Sequence, residues 1–218
     1  MLDLTTYLPK LKSFEGNVGF MYLDTATPPK VTVGVGEMLP NAAAAQKLAF
    51  VHRPDPNAKP PVLAGAATAD EIKADFDNVT KQAGGKLADY YKQFTKLDLP
   101  QSVIDSTVND EIFHFKVGLV ASFPDFESYP AEVCAALFDM AYNLGMDGLN
   151  SKFPTFCKAV KAKDWATAAK ECHRTGPPDD RNDWTKAQFD KVAADVAAAA
   201  AAAAAAAKAA PPPAKPGN

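Results

Sequence analysis

Only one stretch of this chain reads as paired β-structure, and it lies within the first 36 residues. Val18-Gly-Phe-Met-Tyr-Leu and Lys30-Val-Thr-Val-Gly-Val are short runs rich in β-branched and aromatic residues, as strands require. Thr25-Ala26-Thr27-Pro28-Pro29 between them is a turn, because two successive prolines donate nothing to a ladder. A lone hairpin cannot form a central sheet, so doubly wound and barrel architectures are excluded. It also needs helices to lean on for stability. The expected fold class is α+β, mostly helical, with a small N-terminal β-hairpin.

The helices follow from periodicity and caps. Leu4, Leu8 and Leu11 predict a short helix over 1–13, interrupted by Pro9. Residues 40–67 carry Pro54, Pro56, Pro60 and Pro61 and are partly loop. Thr68-Ala69-Asp70-Glu71 is a capping box, and Ile72, Phe76 and Val79 continue it as an amphipathic helix that Gly84-Gly85 ends. Further helices are expected over 86–96, 101–121 and 131–145. The last is the clearest core helix, with Val133, Leu137, Met140, Ala141 and Leu144 on one stripe and Gly145 placed to terminate it. Two shorter helices fit 154–162 and 164–173, the second capped by Asp164. A final helix over 180–196 can be prolonged by the Ala run as far as Pro211-Pro212-Pro213. The organisation expected is one domain over 1–190 and an Ala/Pro-rich low-complexity tail or linker over 191–218.

Composition narrows the classes of function. With 47% hydrophobic and 22% charged residues, the 218-residue chain has the make-up of a soluble globular protein. A formal charge of −3 gives no electrostatic reason to expect nucleic acid as a partner. Met1-Leu2-Asp3-Leu4 does not read as a signal peptide, and no run approaches the ~20 apolar residues of a membrane span, so stable membrane insertion is not expected. Cys134, Cys157 and Cys172 match no zinc spacing. They are expected as reduced, packed thiols, with one disulfide and a leftover thiol as the alternative after export. His52, His114 and His173 show no ligand spacing, and Gly34-Val35-Gly36 lacks the third glycine and following helix of a phosphate loop. No metal or cofactor is expected.

Chemistry is suggested at the hairpin itself. Glu15 stands at the junction of the first helix and the first strand, and Asp24 follows at the end of that strand after eight intervening residues. Two carboxyl groups beside a Gly-spaced hairpin are what glycosidic bond cleavage uses, one as proton donor and one to direct water or stabilise the sugar cation. A carboxyl lying against apolar surface such as Phe14 and the strand from Val18 has its neutral form favoured, as a general acid requires.

The block Glu15-Gly16, Tyr22-Leu23-Asp24-Thr25 and Val31-Thr32-Val33-Gly34-Val35-Gly36 resembles the phage-type lysozymes, the endolysin muramidases. Phe138-Asp139-Met140-Ala141-Tyr142-Asn143-Leu144-Gly145 looks like the helix on the far side of that family's cleft, and Phe153-Pro-Thr-Phe with Lys163-Asp164-Trp165 resembles its later helix pair. The resemblance spans about 1–190 in the family's order. It implies a lysozyme-like fold and cleavage of the β-1,4 bond between N-acetylmuramic acid and N-acetylglucosamine. Glu15 would be the acid, Asp24 its partner and Thr32 the hydroxyl that holds water. Tyr142 and Asn143 would contact sugar, Trp165 would be core, and Arg181 would pair with Glu15.

Two departures stand beside it. The interval from Asp24 to Thr32 is two residues longer than the family pattern, and Glu37 replaces a histidine that usually follows the second glycine. Asp24 argues against a lytic transglycosylase, which needs only one acid; a wall-binding module without chemistry is the reading from another class. The implied partner is the peptidoglycan glycan strand, and a monomer is expected. An endolysin released by a holin and an effector exported by a secretion machine both fit a protein made in the cytoplasm that acts on the cell wall. Whether an immunity protein or a secretion-machine component accompanies it is left open.

Overall fold

The computed structural model describes residues 7–55 and 57–209. Leu4, Pro56 and the proline stop at 211–213 lie outside the described residues. Within them the protein is mostly helical with a small antiparallel sheet. The chain divides into two compact units between Phe113 and His114.

The first unit opens with α1 (Leu8–Glu15). Pro9 does not interrupt this helix but sits in its first turn, where a missing N–H leaves no bond unmade and the fixed φ is already helical. Gly16, at φ 82°, ends it and turns the chain into β1 (Val18–Leu23). β1 pairs antiparallel with β2 (Val31–Gly34), as the sequence suggests, and β2 pairs with β3 (Glu37–Leu39). The third strand was not anticipated, since three residues carry too little alternation to register. The register is Tyr22 opposite Thr32 and Val18 opposite Gly34, so β1 bulges between these pairs. The bulge brings Gly19 to the next segment, where its carbonyl accepts from the Leu99 N–H.

After β3, Asn41 caps α2 (Ala42–Ala45) by accepting from the Ala44 N–H at 2.9 Å. β4 (Val51–His52) pairs with β5 (Leu97–Asp98). α3 (Ala69–Thr80) starts on the expected capping box and buries Ile72 and Val79. It stops before Gly84-Gly85 because Gln82 bonds the Val79 carbonyl and tightens the last turn. Asp75 lies on its buried face and is satisfied by the N–H groups of Lys96 (2.8 Å) and Leu97 (3.0 Å). The helix expected over 86–96 is only α4 (Ala88–Tyr91) with a 3-10 turn to Phe94, since Thr95 is extended and leads into β5. α5 runs from Gln101 to Ser122 and contains the boundary between the units.

The second unit holds α6 (Ala131–Lys152), α7 (Pro154–Lys161), α8 (Trp165–Glu171) and α9 (Asp179–Ala209). Val133, Leu137, Met140 and Ala141 are buried as the stripe predicts. Gly145 ends the first helical stretch of α6, as the sequence suggests. It breaks the helix with φ 68° and ψ 160°, and the chain re-enters helix through Lys152. Trp165 is core, stacked edge-on against Tyr129. Asp164 caps α8 through the Thr167 N–H at 3.0 Å. Cys134, Cys157 and Cys172 are free and buried. Burial pushes the Cys134 thiol up to about 12 and Cys172 to about 11, so both stay protonated and unreactive at neutral pH. In α9 Val192 is buried, whereas residues 194–208 are exposed, so the Ala run prolongs the helix on intrinsic propensity alone. Among the described residues no helix is long and apolar enough to cross a membrane.

Candidate active site

Glu15 is the last residue of α1, and two contacts tie its surroundings to α5. Lys12 pairs with Asp105 at 2.6 Å, and Asn17 donates to Gln101 at 2.8 Å. Gln101 in turn donates to Asp105 at 2.8 Å, so helix and strand are both fastened on either side of Glu15. The Lys12 ammonium, with Gln101 beside it, holds the Asp105 carboxyl below its ordinary range.

The glycines of β2 and the following turn explain how close the Glu15 side chain comes. Gly36 has φ 79°, and a β-carbon there would lie 3.3 Å from Glu15 Oε2. Gly34 has φ 66°, and a β-carbon would meet Ile104 of α5 at 3.4 Å. The Gly34-Val35-Gly36 corner therefore fits between α1 and α5 only because it carries no side chains at these two points.

Asp24 continues the alternation of β1 one step beyond its end. Its N–H donates to the Lys30 carbonyl at 2.9 Å, and its Oδ1 accepts from Lys30 N–H at 2.8 Å and from Ala26 N–H at 3.1 Å. The two-residue excess before Thr32 is thus absorbed in a turn that Asp24 itself staples. Among the described residues Oδ2 makes no hydrogen bond.

Thr32 is 3% exposed and donates to the Lys30 carbonyl at 3.3 Å. Its cross-strand neighbours are Tyr22 and Met38, which share its face of the sheet. Two residues from Asp24 on the same strand, Tyr22 points to that face as well. Its phenol is pushed up to about 12, first by burial and then by the negative charges of Glu15 and Asp24. Both carboxyl groups therefore lie within electrostatic reach of one phenol. Tyr22 was not singled out from sequence, although its position two residues before Asp24 on an alternating strand is the signal that finds it.

Glu37 follows Gly36 at the start of β3, and it lines the same small cavity as Glu111 of α5. Burial pushes the Glu37 carboxyl up.

Tyr142, Asn143 and Arg181 belong to the second unit. Tyr142 is half-buried against the rings of Phe115 and Phe138, at centroid distances of 5.5 and 5.8 Å. Asn143 is exposed. Arg181 is buried, and within its unit it binds the fully buried Asp139 through Nε at 3.0 Å and Nη2 at 2.9 Å. Asp139 also takes Arg174 Nη2 at 2.7 Å and the Thr185 hydroxyl at 3.1 Å. Neither Asp139 nor Arg174 was anticipated as part of a polar centre.

Tyr22 and Thr32 thus face each other across one small sheet, with Asp24 just past the end of β1 and Glu15 at the end of α1. The arrangement supplies one carboxyl at a helix end, a second carboxylate held by backbone N–H groups, and a neutral phenol between their fields. Such a set can donate a proton to an oxygen and direct or accept one from water. Compared with known proteins, the chain matches no family model, and no curated protein is significantly similar to it.

Proposed function

We propose that the chain is a muramidase of lysozyme-like fold, a peptidoglycan hydrolase that cuts the β-1,4 bond between N-acetylmuramic acid and N-acetylglucosamine. The observation that supports this reading is that Glu15 and Asp24 both lie within electrostatic reach of the Tyr22 phenol. Glu15 protonates the leaving glycosidic oxygen. Asp24, whose Oδ1 is anchored by the N–H groups of Lys30 and Ala26, offers its other oxygen in a fixed direction. It takes the proton of the water that attacks the sugar carbon, or faces the cationic transition state. Thr32 lends its hydroxyl to the same face of the sheet. The role in cells is bacterial lysis, as an endolysin or an exported antibacterial effector.

The deciding experiment is digestion of purified peptidoglycan by the wild type and Glu15→Gln, with products identified by mass spectrometry. Reducing muropeptides from the wild type alone support the muramidase. Anhydro-muropeptides transfer the assignment to a lytic transglycosylase. Wall binding with no release by either protein leaves a binding module.

A further inference from the structure

The Gly34–Gly36 corner is docked on α5 at two points. At one, Gly34 lies against Ile104; at the other, Glu37 shares a small cavity with Glu111, two helical turns further on. Between these points a β-carbon on Gly36 would come within 3.3 Å of the Glu15 carboxyl. Two carboxyl groups can hydrogen-bond only while at least one of them keeps a proton, because two carboxylates have acceptors alone. The space around them is a cavity of about 10 Å3, room for no more than a single water molecule. The rest of its lining, Gly34, Val35, Leu99, Ile104, Thr107 and Val108, carries no charge.

We propose that Glu37 and Glu111 share one proton and through it hold the Gly34–Gly36 corner on α5, so that they act as positioning residues for Glu15. The catalytic role of Glu15 rests on the muramidase reading; the latch itself does not. When the shared proton leaves, two like charges face each other across a poorly hydrated gap and the contact opens. Glu37 lies next to Gly36 in the chain, so its departure moves the backbone against which Glu15 rests.

The charged groups of the surrounding elements are few. On α1 they are Lys10, Lys12 and Glu15, with Lys12 engaged by Asp105. The part of α5 before the unit boundary adds Asp105, Asp110 and Glu111. Beside Leu99, Asp98 is held by Arg53 at 2.6 Å. Burial of the Glu37 carboxyl, which keeps its proton above the ordinary range for a glutamate, agrees with the shared proton.

Carbon-13 NMR of the side-chain carboxyl groups of the intact protein, followed from pH 3 to 9, tests the latch without any need for activity. The expected result is a coupled titration of Glu37 and Glu111, in two steps separated by more than about one pH unit. The Glu15 resonance is expected to shift in step with the second. In Glu37→Gln the amide donates to Glu111 without a titrating proton, so that second response of Glu15 disappears. Independent, ordinary titrations of Glu37 and Glu111 would overturn the shared proton. A coupled titration that leaves Glu15 unmoved would overturn the positioning role. Wall digestion over the same range separates this from the muramidase reading: a protein that shows the coupled response yet releases no muropeptides keeps the latch and loses the enzyme. If digestion occurs, its alkaline limb moves to higher pH in Glu37→Gln, and an unmoved limb counts against the latch.

Discussion

Gly36 leaves room for Glu15 that no other residue would: a single β-carbon on the glycine would stand 3.3 Å from the Oε2 atom of the glutamate. Gly36→Ala combines two penalties. At φ 79° an alanine is strained by about 1–2 kcal/mol, and its methyl pushes the Glu15 carboxyl aside. On the muramidase reading the variant is expected to release muropeptides more slowly, by less than the roughly 10²-fold that a full ångström of misplacement costs, while denaturant unfolding shows only the modest backbone strain. Wild-type release rates from Gly36→Ala would remove Glu15 from the chemistry.

Asp24 joins two roles that substitution can separate. Asp24→Asn keeps an oxygen to accept from Lys30 and Ala26, so the turn should persist with a stability change within about 0.5 kcal/mol. It removes the charge, and on the muramidase reading that costs on the order of 10² or more in rate. The Tyr22 phenol, at about 12, is expected to titrate lower in Asp24→Asn and lower again with Glu15→Gln added, because both charges oppose the phenolate. Ultraviolet titration of these variants against Tyr22→Phe isolates that phenol. An unchanged midpoint would mean that the two acids do not share the space around it.

Features set by near neighbours in the chain were legible, and those set by distant ones were not. The Thr68–Glu71 capping box, the Asp164 cap and the glycines at 34 and 36 are local demands of the backbone, and each left its residue type in place. Pro9 was misread because proline breaks a helix interior yet suits a first turn, and the sequence alone did not fix which it occupied. Glu111 and Asp139 went unnoticed for a different reason. A charged residue on an apolar-rich helix reads as solvated unless its partner is known. The partners here are Glu37 across a strand-to-helix contact, and Arg174 and Arg181 at separations of 35 and 42 residues from Asp139.

Glu71 gives a pH prediction whose sign is fixed by its partners. The Thr68 N–H and hydroxyl, with His52 at 3.1 Å, hold its carboxyl down to about 2. A carboxyl with a lowered folded-state value binds fewer protons when folded than when unfolded. Its contribution is therefore complete above the ordinary value of 4.5 and is lost as pH falls from there through about 2. Glu71→Gln is expected to flatten the dependence of the unfolding midpoint on pH across that window and leave the slope above pH 5 unchanged. Equal slopes for both proteins between pH 2 and 4.5 would show that the capping box does not persist in solution.

Asp139 is the residue whose loss should cost the fold most. It is fully buried and receives two arginines and the Thr185 hydroxyl, and Arg174 is itself fully buried with Nη1 on the Asp139 carbonyl at 3.2 Å. Removing the carboxylate leaves guanidinium charge in the interior without its counter-ion, a loss of about 3–5 kcal/mol where buried pairs are broken from one side. Asp139→Ala is therefore expected to lower the unfolding free energy by that amount, seen as a lower denaturant midpoint with an unchanged slope, since the surface exposed on unfolding stays the same. Lys186→Ala removes one half of an exposed pair four residues apart on α9 and should leave the midpoint nearly where it was. Comparable effects of the two substitutions would mean that water reaches the Asp139 centre and screens it.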